Sequence, residues 1–210
     1  MTTYYVKSFE EDFSTKTLVG KEKKTFQTLE DIISSKSIKP NTKSFGQEMR
    51  LSTTVLNDNY LSTYRPQGII FETDEKPDYI LPFDLVLLSD AEDIVVHYYR
   101  IKDNLHIYYN HKLIDGYEKF IFGSFDEMLK LFDSPDKAWK AVNDFRVSKG
   151  YPLLAKSKYR LVEYNEAVFE KTVPIRPVAI FGYRKEAREF AQKFNLKYYK
   201  TAKEFYLKNR

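Results

Sequence analysis

The sequence predicts a single α+β domain over residues 1–210, in which mixed, largely antiparallel sheets are flanked by helices. Two aromatic segments, 95–100 and 105–109, flank a short polar turn and predict a β-hairpin. Short apolar runs bounded by Gly, Pro or Asp, such as 68–72, are typical of buried strands. Amphipathic segments with capping residues predict helices that cover the sheet.

Composition limits the classes of function. The 17 Tyr and 16 Phe residues predict a core of packed rings. A net charge of +4 permits an acidic partner, such as nucleic acid or a dinucleotide, without requiring one. The absence of cysteine excludes disulfides, thiolate catalysis and cysteine zinc sites. Because no signal core and no run of 18 apolar residues is present, we expect a cytoplasmic protein without a membrane partner.

The first half of the chain alternates short strands with loops. We expect a first strand at residues 4–6, a charged loop at 10–24, and further strands at 50–55 and 68–72, followed by the most apolar part of the chain at 79–88. Residues 28–35 predict a helix, because Thr28 can cap it and Asp31 stands three positions on. This helix should end before Pro40, whose ring favours an extended preceding residue.

The second half begins with the hairpin and continues with helices. We expect a short strand at 119–122, then a two-helix insert at 124–150, with helices that begin at Ser124 and Ser134 and the second closed by Gly150. A strand should begin near Glu166, and Pro174 and Pro177 should mark a strand start, a bulge or a sheet edge. The remaining expected elements are a strand at 176–181, a helix at 184–194, an extended segment at 196–199 and a helix at 201–207.

All three histidines, His97, His106 and His111, fall in or beside the hairpin. Cross-strand geometry pairs two of them at most, whereas a metal site needs three or more converging ligands, so we expect no metal. Beside Arg100 and nearby lysines, the hairpin's rings could stack the bases of a single strand, or they could cover the core.

A glutamate opens the strand that precedes Val173-Pro174-Ile175. A carboxylate at the end of a sheet strand is held firmly and can face a cleft, which suits an acid–base or electrostatic role. An ordinary surface glutamate is the alternative. Glu163 and Glu170 are rivals of Glu166; in a regular strand Glu163 would face the opposite side, whereas Glu170 could share its side.

The order of a hydroxyl-rich strand (Ser52, Thr53, Thr54), an apolar strand and a Glu166 strand followed by Val-Pro-Ile resembles the ADP-ribosyltransferase fold of bacterial and phage toxins and modifiers. The resemblance covers about residues 25–90 and 160–200. It implies that Glu166 binds the 2′-hydroxyl of the nicotinamide ribose of NAD. It also implies that the hydroxyl-rich strand orients this glutamate and shapes the nicotinamide pocket.

The same resemblance implies an arginine that clamps the pyrophosphate, with Arg50 as the first candidate and Arg65 as the second. On the first strand, Tyr5 stands where the family often has histidine or arginine. The implied activity is transfer of ADP-ribose from NAD to a protein or nucleic-acid acceptor, by a toxin or a phage-encoded modifier. The alternatives are a non-enzymatic α+β module that binds nucleic acid or protein, or a degenerate transferase fold in a viral accessory or host-takeover protein.

Overall fold

The computed structural model describes residues 2–9, 27–40, 51–88, 96–101, 104–109, 112–113 and 115–210. The described strands are β1 (Tyr4–Ser8), β2 (Ser37–Ile38), β3 (Leu51–Leu56), β4 (Gly68–Glu72), β5 (Tyr79–Leu81), β6 (Val96–Ile101), β7 (Asn104–Tyr109), β8 (Lys112–Leu113), β9 (Glu166–Phe169), β10 (Val173–Pro174), β11 (Arg176–Phe181) and β12 (Lys197–Tyr199). The described helices are α1 (Leu29–Ser35), α2 (Phe125–Leu131), α3 (Pro135–Ser148), α4 (Lys185–Lys193) and α5 (Ala202–Asn209). The chain is therefore α+β.

Seven strands form one mixed sheet in the order β12-β11-β4-β1-β3-β9-β5. Its pairs are antiparallel except β11 with β12, which are parallel and are joined through α4. That helix fits the need of a parallel pair for a long crossover connection. Two smaller sheets pair β2 with β10 and β6 with β7 and β8. The mixed, mostly antiparallel character expected from the sequence is confirmed.

Apolar side chains cover both faces of the large sheet, as expected for strands buried on both sides. On one face, Tyr5 stacks on Phe71 at 5.8 Å between ring centroids, and this cluster includes buried residues of α1 and α4. On the other face, Val6 and Ile70 pack with Phe205 of α5. The sheet thus lies between helices on its two sides.

Helix ends follow the predicted capping chemistry. The backbone N–H of Asp31 donates to Thr28 Oγ1, and the N–H of Thr28 donates to Asp31 Oδ2, both at 3.0 Å, which completes the capping box before α1. The Oγ atoms of Ser124 and Ser134 accept the backbone N–H groups of Glu127 and Lys137, three positions further on, in the first turns of α2 and α3. Gly150 follows α3 with φ of +76°, a left-handed conformation that glycine adopts without strain. These local predictions are confirmed.

The predicted strand at 119–122 is wrong. Residues Glu118–Phe120 form a single 3-10 turn, and Phe122 alone pairs with Ile80 through an isolated bridge. The turn places the ring of Phe120 in the core, in edge contact with Phe83 at 4.9 Å. A short apolar run does not by itself distinguish a strand from a buried turn, which is why the pattern misled.

The proline and hairpin predictions are confirmed. Pro174 lies in the two-residue strand β10, and Pro177 stands at the register shift between β11 and β4. Strands β6 and β7 pair from Val96 with Tyr109 to Ile101 with Asn104. The expected loop at 10–24 and His111 lie outside the described residues.

Candidate functional site

Glu166 is the first residue of β9, which lies between β3 and β5 in the large sheet. Its side chain is only 6% exposed. Ser52 of β3 donates its hydroxyl hydrogen to Glu166 Oε1 at an oxygen–oxygen distance of 2.6 Å. Because Ser52 pairs with Val168, two residues along β9 from Glu166, both side chains project from the same face of the sheet. The sheet itself therefore positions this hydroxyl–carboxyl pair.

The residue before Glu166 fastens the start of β9 to β3. Asn165 is fully buried; its Oδ1 accepts from the backbone N–H of Val55 at 2.9 Å, and its Nδ2 donates to the carbonyl of Val55 at 2.8 Å. The side-chain amide thus takes the place of a backbone peptide group and continues the hydrogen bonding between β9 and β3 to Val55. Sequence reasoning missed Asn165, although it stands next to the predicted glutamate.

A buried tyrosine precedes the amide. The hydroxyl of Tyr164 donates to Asp84 Oδ2 at 2.8 Å, and the ring is 5% exposed. Burial, followed by the negative charge of Asp84 and its hydrogen bond, raises the pKa of Tyr164 far above its ordinary value, with smaller contributions from Glu166 and Tyr64. Tyr164 therefore stays a neutral phenol and links the site to the segment that follows β5.

The connection from β3 to β4 brings a second ring and a cation to the same region. The ring of Tyr64 meets Tyr164 edge to face at 5.8 Å and remains 44% exposed. The guanidinium of Arg65 lies 4.2 Å from the centroid of the Tyr64 ring and donates to its hydroxyl at 3.0 Å. The backbone N–H of Arg65 donates to Ser8 Oγ at 3.3 Å, which holds this arginine at the end of β1, the strand beside β3.

The structure places Thr53 and Tyr5 on the other face of the sheet from this cluster. Thr54 shares the face of Ser52 and is buried, whereas Thr53 lies on the opposite face and donates to the carbonyl of Ala167 at 2.8 Å. Tyr5 also lies on that opposite face, where its ring packs against Phe169 and Phe71. Arg50 lies outside the described residues.

The two rival glutamates flank β9 rather than lie within it. Glu163 precedes the strand, so the alternation of side chains that was expected to turn it away from Glu166 does not apply to it. Glu170 follows the strand, and its backbone N–H donates to Asp78 Oδ2 at 2.7 Å. Of the three carboxyl groups, Glu166 is the one that receives the hydroxyl of the predicted strand.

Together, these residues define a class of site: a buried carboxyl group with a hydroxyl donor, next to a neutral phenol, an exposed ring and a guanidinium. In such an arrangement, the carboxylate can stabilise positive charge that develops on a bound molecule. The ring and the guanidinium can hold an aromatic or anionic group of the same ligand. Comparison with protein-family models, curated proteins and solved structures found no match.

Among the described residues, no three or more His, Asp or Glu side chains are grouped so that they could hold a metal ion. No helix within the described ranges combines the length and the apolar character required to cross a membrane.

Proposed function

We propose that this protein has an ADP-ribosyltransferase-like fold and transfers ADP-ribose from NAD to a protein or nucleic-acid acceptor. The observation that carries the proposal is the 2.6 Å hydrogen bond from Ser52 to the buried carboxyl group of Glu166. The resemblance implies such a bond between the hydroxyl-rich strand and the glutamate. It joins residues 114 positions apart in the sequence, so local sequence pattern does not account for it.

In the proposed reaction, the bond between the ribose C1′ and the nicotinamide nitrogen breaks, and nicotinamide leaves as a neutral base with the bonding electrons. The ribose then carries positive charge in an oxocarbenium-like transition state, which a nearby carboxylate stabilises. An acceptor nucleophile forms the new bond at C1′ and gives up its proton. Glu166 would hold the 2′-hydroxyl of this ribose and receive that proton, while Ser52 fixes the orientation of the carboxylate.

The neighbouring side chains would bind the rest of the dinucleotide. Tyr64 offers an exposed ring face for a planar heterocycle, and Arg65 offers a planar cation for the pyrophosphate oxygens. Of the two arginines considered from the sequence, Arg65 is the one whose position is described, and it lies one strand from Ser52. We further propose a cytoplasmic setting, that of a host cell if a virus encodes the protein, in which a toxin or phage-encoded modifier would meet NAD and its acceptors.

The direct test measures nicotinamide release and label transfer from labelled NAD in the presence of cell lysate. Glu166→Gln keeps the shape of the side chain but loses the negative charge, so we expect both rates to fall about 10²- to 10⁴-fold. Glu170→Gln is the matched control, because it removes a carboxylate four positions away that Ser52 does not contact. Circular dichroism checks that both variants fold.

Two outcomes would refute the proposal. One is a Glu166→Gln variant that releases nicotinamide at the rate of the unsubstituted protein. The other is an unsubstituted protein that neither consumes NAD nor labels any component of lysates from several cell types, which would leave the hypothesis of a non-enzymatic binding module.

A further inference from the structure

Positive charge is concentrated at the end of the chain. Residues 184–210 contain nine Lys and Arg and three Glu, a net charge of +6, whereas the whole chain carries +4. The preceding residues therefore carry a net charge of −2. All nine basic side chains are exposed: Arg184, Lys185, Arg188, Lys193, Lys197, Lys200, Lys203, Lys208 and Arg210. A surface with this imbalance attracts a polyanion.

Several of these cations make no ion pair within the described part of the chain, although Lys200 lies near enough to Glu204 for their charges to interact. Arg188, Lys197, Lys200 and Lys203 make no ion pair with any residue in the described ranges. The pairs that do form in this region, such as Lys185 with Glu189 at 2.9 Å, are exposed and contribute little to stability. The charge at the chain end is thus in excess of what internal pairing uses.

The topology brings two of these basic segments together. Strands β11 and β12 are parallel, so the residues that follow their carboxyl ends emerge at the same end of the sheet. The backbone N–H of Gly182 donates to the carbonyl of Tyr199 at 3.1 Å, and the hydroxyl of Tyr198 donates to the carbonyl of Gly182 at 2.8 Å. These bonds join the turn that carries Tyr183 to the turn that carries Lys200.

Tyr183 is 70% exposed, more than any other large hydrophobic side chain among the described residues. It therefore presents a ring at the end of the sheet that also carries Lys200 and, at the start of α5, Lys203. We infer that Tyr183, Lys200 and Lys203, hereafter the β12 surface, bind single-stranded nucleic acid, with the lysines on phosphates and the ring stacked on a base.

The combination of side chains favours this occupant over other polyanions. Proteins that bind single strands combine cations along the backbone with aromatic rings, because every base has a face on which a ring can stack. An acidic peptide would use the lysines but leave Tyr183 without a function. The bases of a duplex are stacked on each other and present no free face to it. The inference does not depend on NAD chemistry.

The test is fluorescence polarisation with a labelled 30-nucleotide single strand, as DNA and as RNA, at increasing salt. Two phosphate contacts, one from each lysine of the β12 surface, predict a slope of log K against log salt of about −1.4. Lys200→Gln with Lys203→Gln should weaken binding about 10- to 30-fold at 0.1 M salt and reduce the slope by about 1.4. Tyr183→Ala should weaken binding about 5- to 150-fold and leave the slope unchanged, since stacking releases no counterions.

The matched control is Lys137→Gln with Lys140→Gln on α3, which removes the same charge from an exposed surface elsewhere. We expect this control to bind within about twofold of the unsubstituted protein. Equal weakening by both lysine pairs, or binding of poly-glutamate or duplex DNA as tight as that of the single strand, would overturn the inference. The same holds for an absence of binding at 50 mM salt. Glu166→Gln should bind normally, which separates this result from the test of the transferase.

Discussion

Substitution of Asn165 by alanine tests how the carboxyl group is positioned. The change removes both hydrogen bonds to Val55, at 2.9 and 2.8 Å, but leaves the backbone N–H and carbonyl of Val55 inside the protein. Both groups then lack their partner at a site where Asn165 is fully buried. The start of β9 also loses its fastening to β3 immediately before Glu166.

The expected loss of stability follows from the two backbone groups of Val55 that are left without hydrogen-bond partners. Leaving a buried donor or acceptor unsatisfied costs about 1–3 kcal/mol for each group, so the free energy of unfolding should fall by about 2–6 kcal/mol. This places Asn165→Ala among the more damaging single substitutions. Urea unfolding, followed by circular dichroism and by the fluorescence of Trp139, measures the difference.

A second asparagine provides the control. Asn143 also makes two hydrogen bonds, to the carbonyl of Trp139 and from the N–H of Leu154, but it lies on α3 and neither bond involves β9. Asn143→Ala should therefore reduce stability without changing nicotinamide release by the folded protein. Asn165→Ala should reduce both, under conditions in which each variant is fully folded.

If Asn165→Ala lowers the free energy of unfolding by less than about 1 kcal/mol, the two Val55 groups do not carry the expected cost. Normal nicotinamide release from a destabilised Asn165→Ala variant would show that the amide supports the fold but does not position Glu166. Asn165→Asp adds a further check, because a carboxylate still accepts from Val55 N–H but does not donate to its carbonyl.

Two further predictions concern stability. Tyr164→Phe removes the hydrogen bond to Asp84 and should cost about 1–3 kcal/mol near neutral pH. Because burial raises the pKa of Tyr164 above its ordinary 10.0, its contribution is fully present below about pH 10 and is lost as the pH rises further; the variant should show a smaller alkaline loss of stability. Gly68→Ala should cost about 1–3 kcal/mol, because its Cβ would lie 2.4 Å from the carbonyl oxygen of Lys7 and 2.8 Å from the ring of Phe181.

Each of these has a direct check. If the stability of Tyr164→Phe falls with rising alkaline pH as steeply as that of the unsubstituted protein, the Tyr164 phenol does not contribute to that loss. Gly123→Ala is the control for Gly68→Ala, since its nearest atom would be at 3.5 Å, an ordinary contact. Equal thermal stability of the two alanine variants would contradict the tight approach of β1 and β11 at Gly68.

Local sequence patterns predicted the elements whose cause is local. Thr28 with Asp31, and Ser124 with Glu127, place their capping atoms three residues apart, so the helix starts could be read directly. The hairpin strands were predicted for the same reason, since two aromatic runs separated by a short connection pair with each other locally. The run at 119–122 failed because its turn is set by the contact of Phe120 with Phe83, far away in sequence.

The candidate site was predicted only in part because its contacts are long-range. The Asn165–Val55 bonds span 110 residues and the Tyr164–Asp84 bond spans 80, and no local sequence pattern predicts either contact. Tyr5 shows a different limit. A shift of one residue along a strand changes the face of the sheet, and neighbouring Tyr4, Tyr5 and Val6 are all hydrophobic, so no alternation indicated which face Tyr5 would take.

The β12 surface and the Glu166–Ser52 pair lie far apart on one sheet, which makes them separable by experiment. Five strand spacings, or about 24 Å, lie between β12 and β9, and three, or about 14 Å, lie between β12 and β1, which holds Arg65; both distances exceed the Debye length of about 8 Å at physiological salt. Neutralising Lys200 and Lys203 should therefore leave the release of nicotinamide from free NAD unchanged. If the acceptor is a nucleic acid bound at the β12 surface, the same change should lower label transfer to it at subsaturating concentrations, because only acceptor binding is weakened. Loss of nicotinamide release in that variant would mean that the two surfaces are coupled through the sheet.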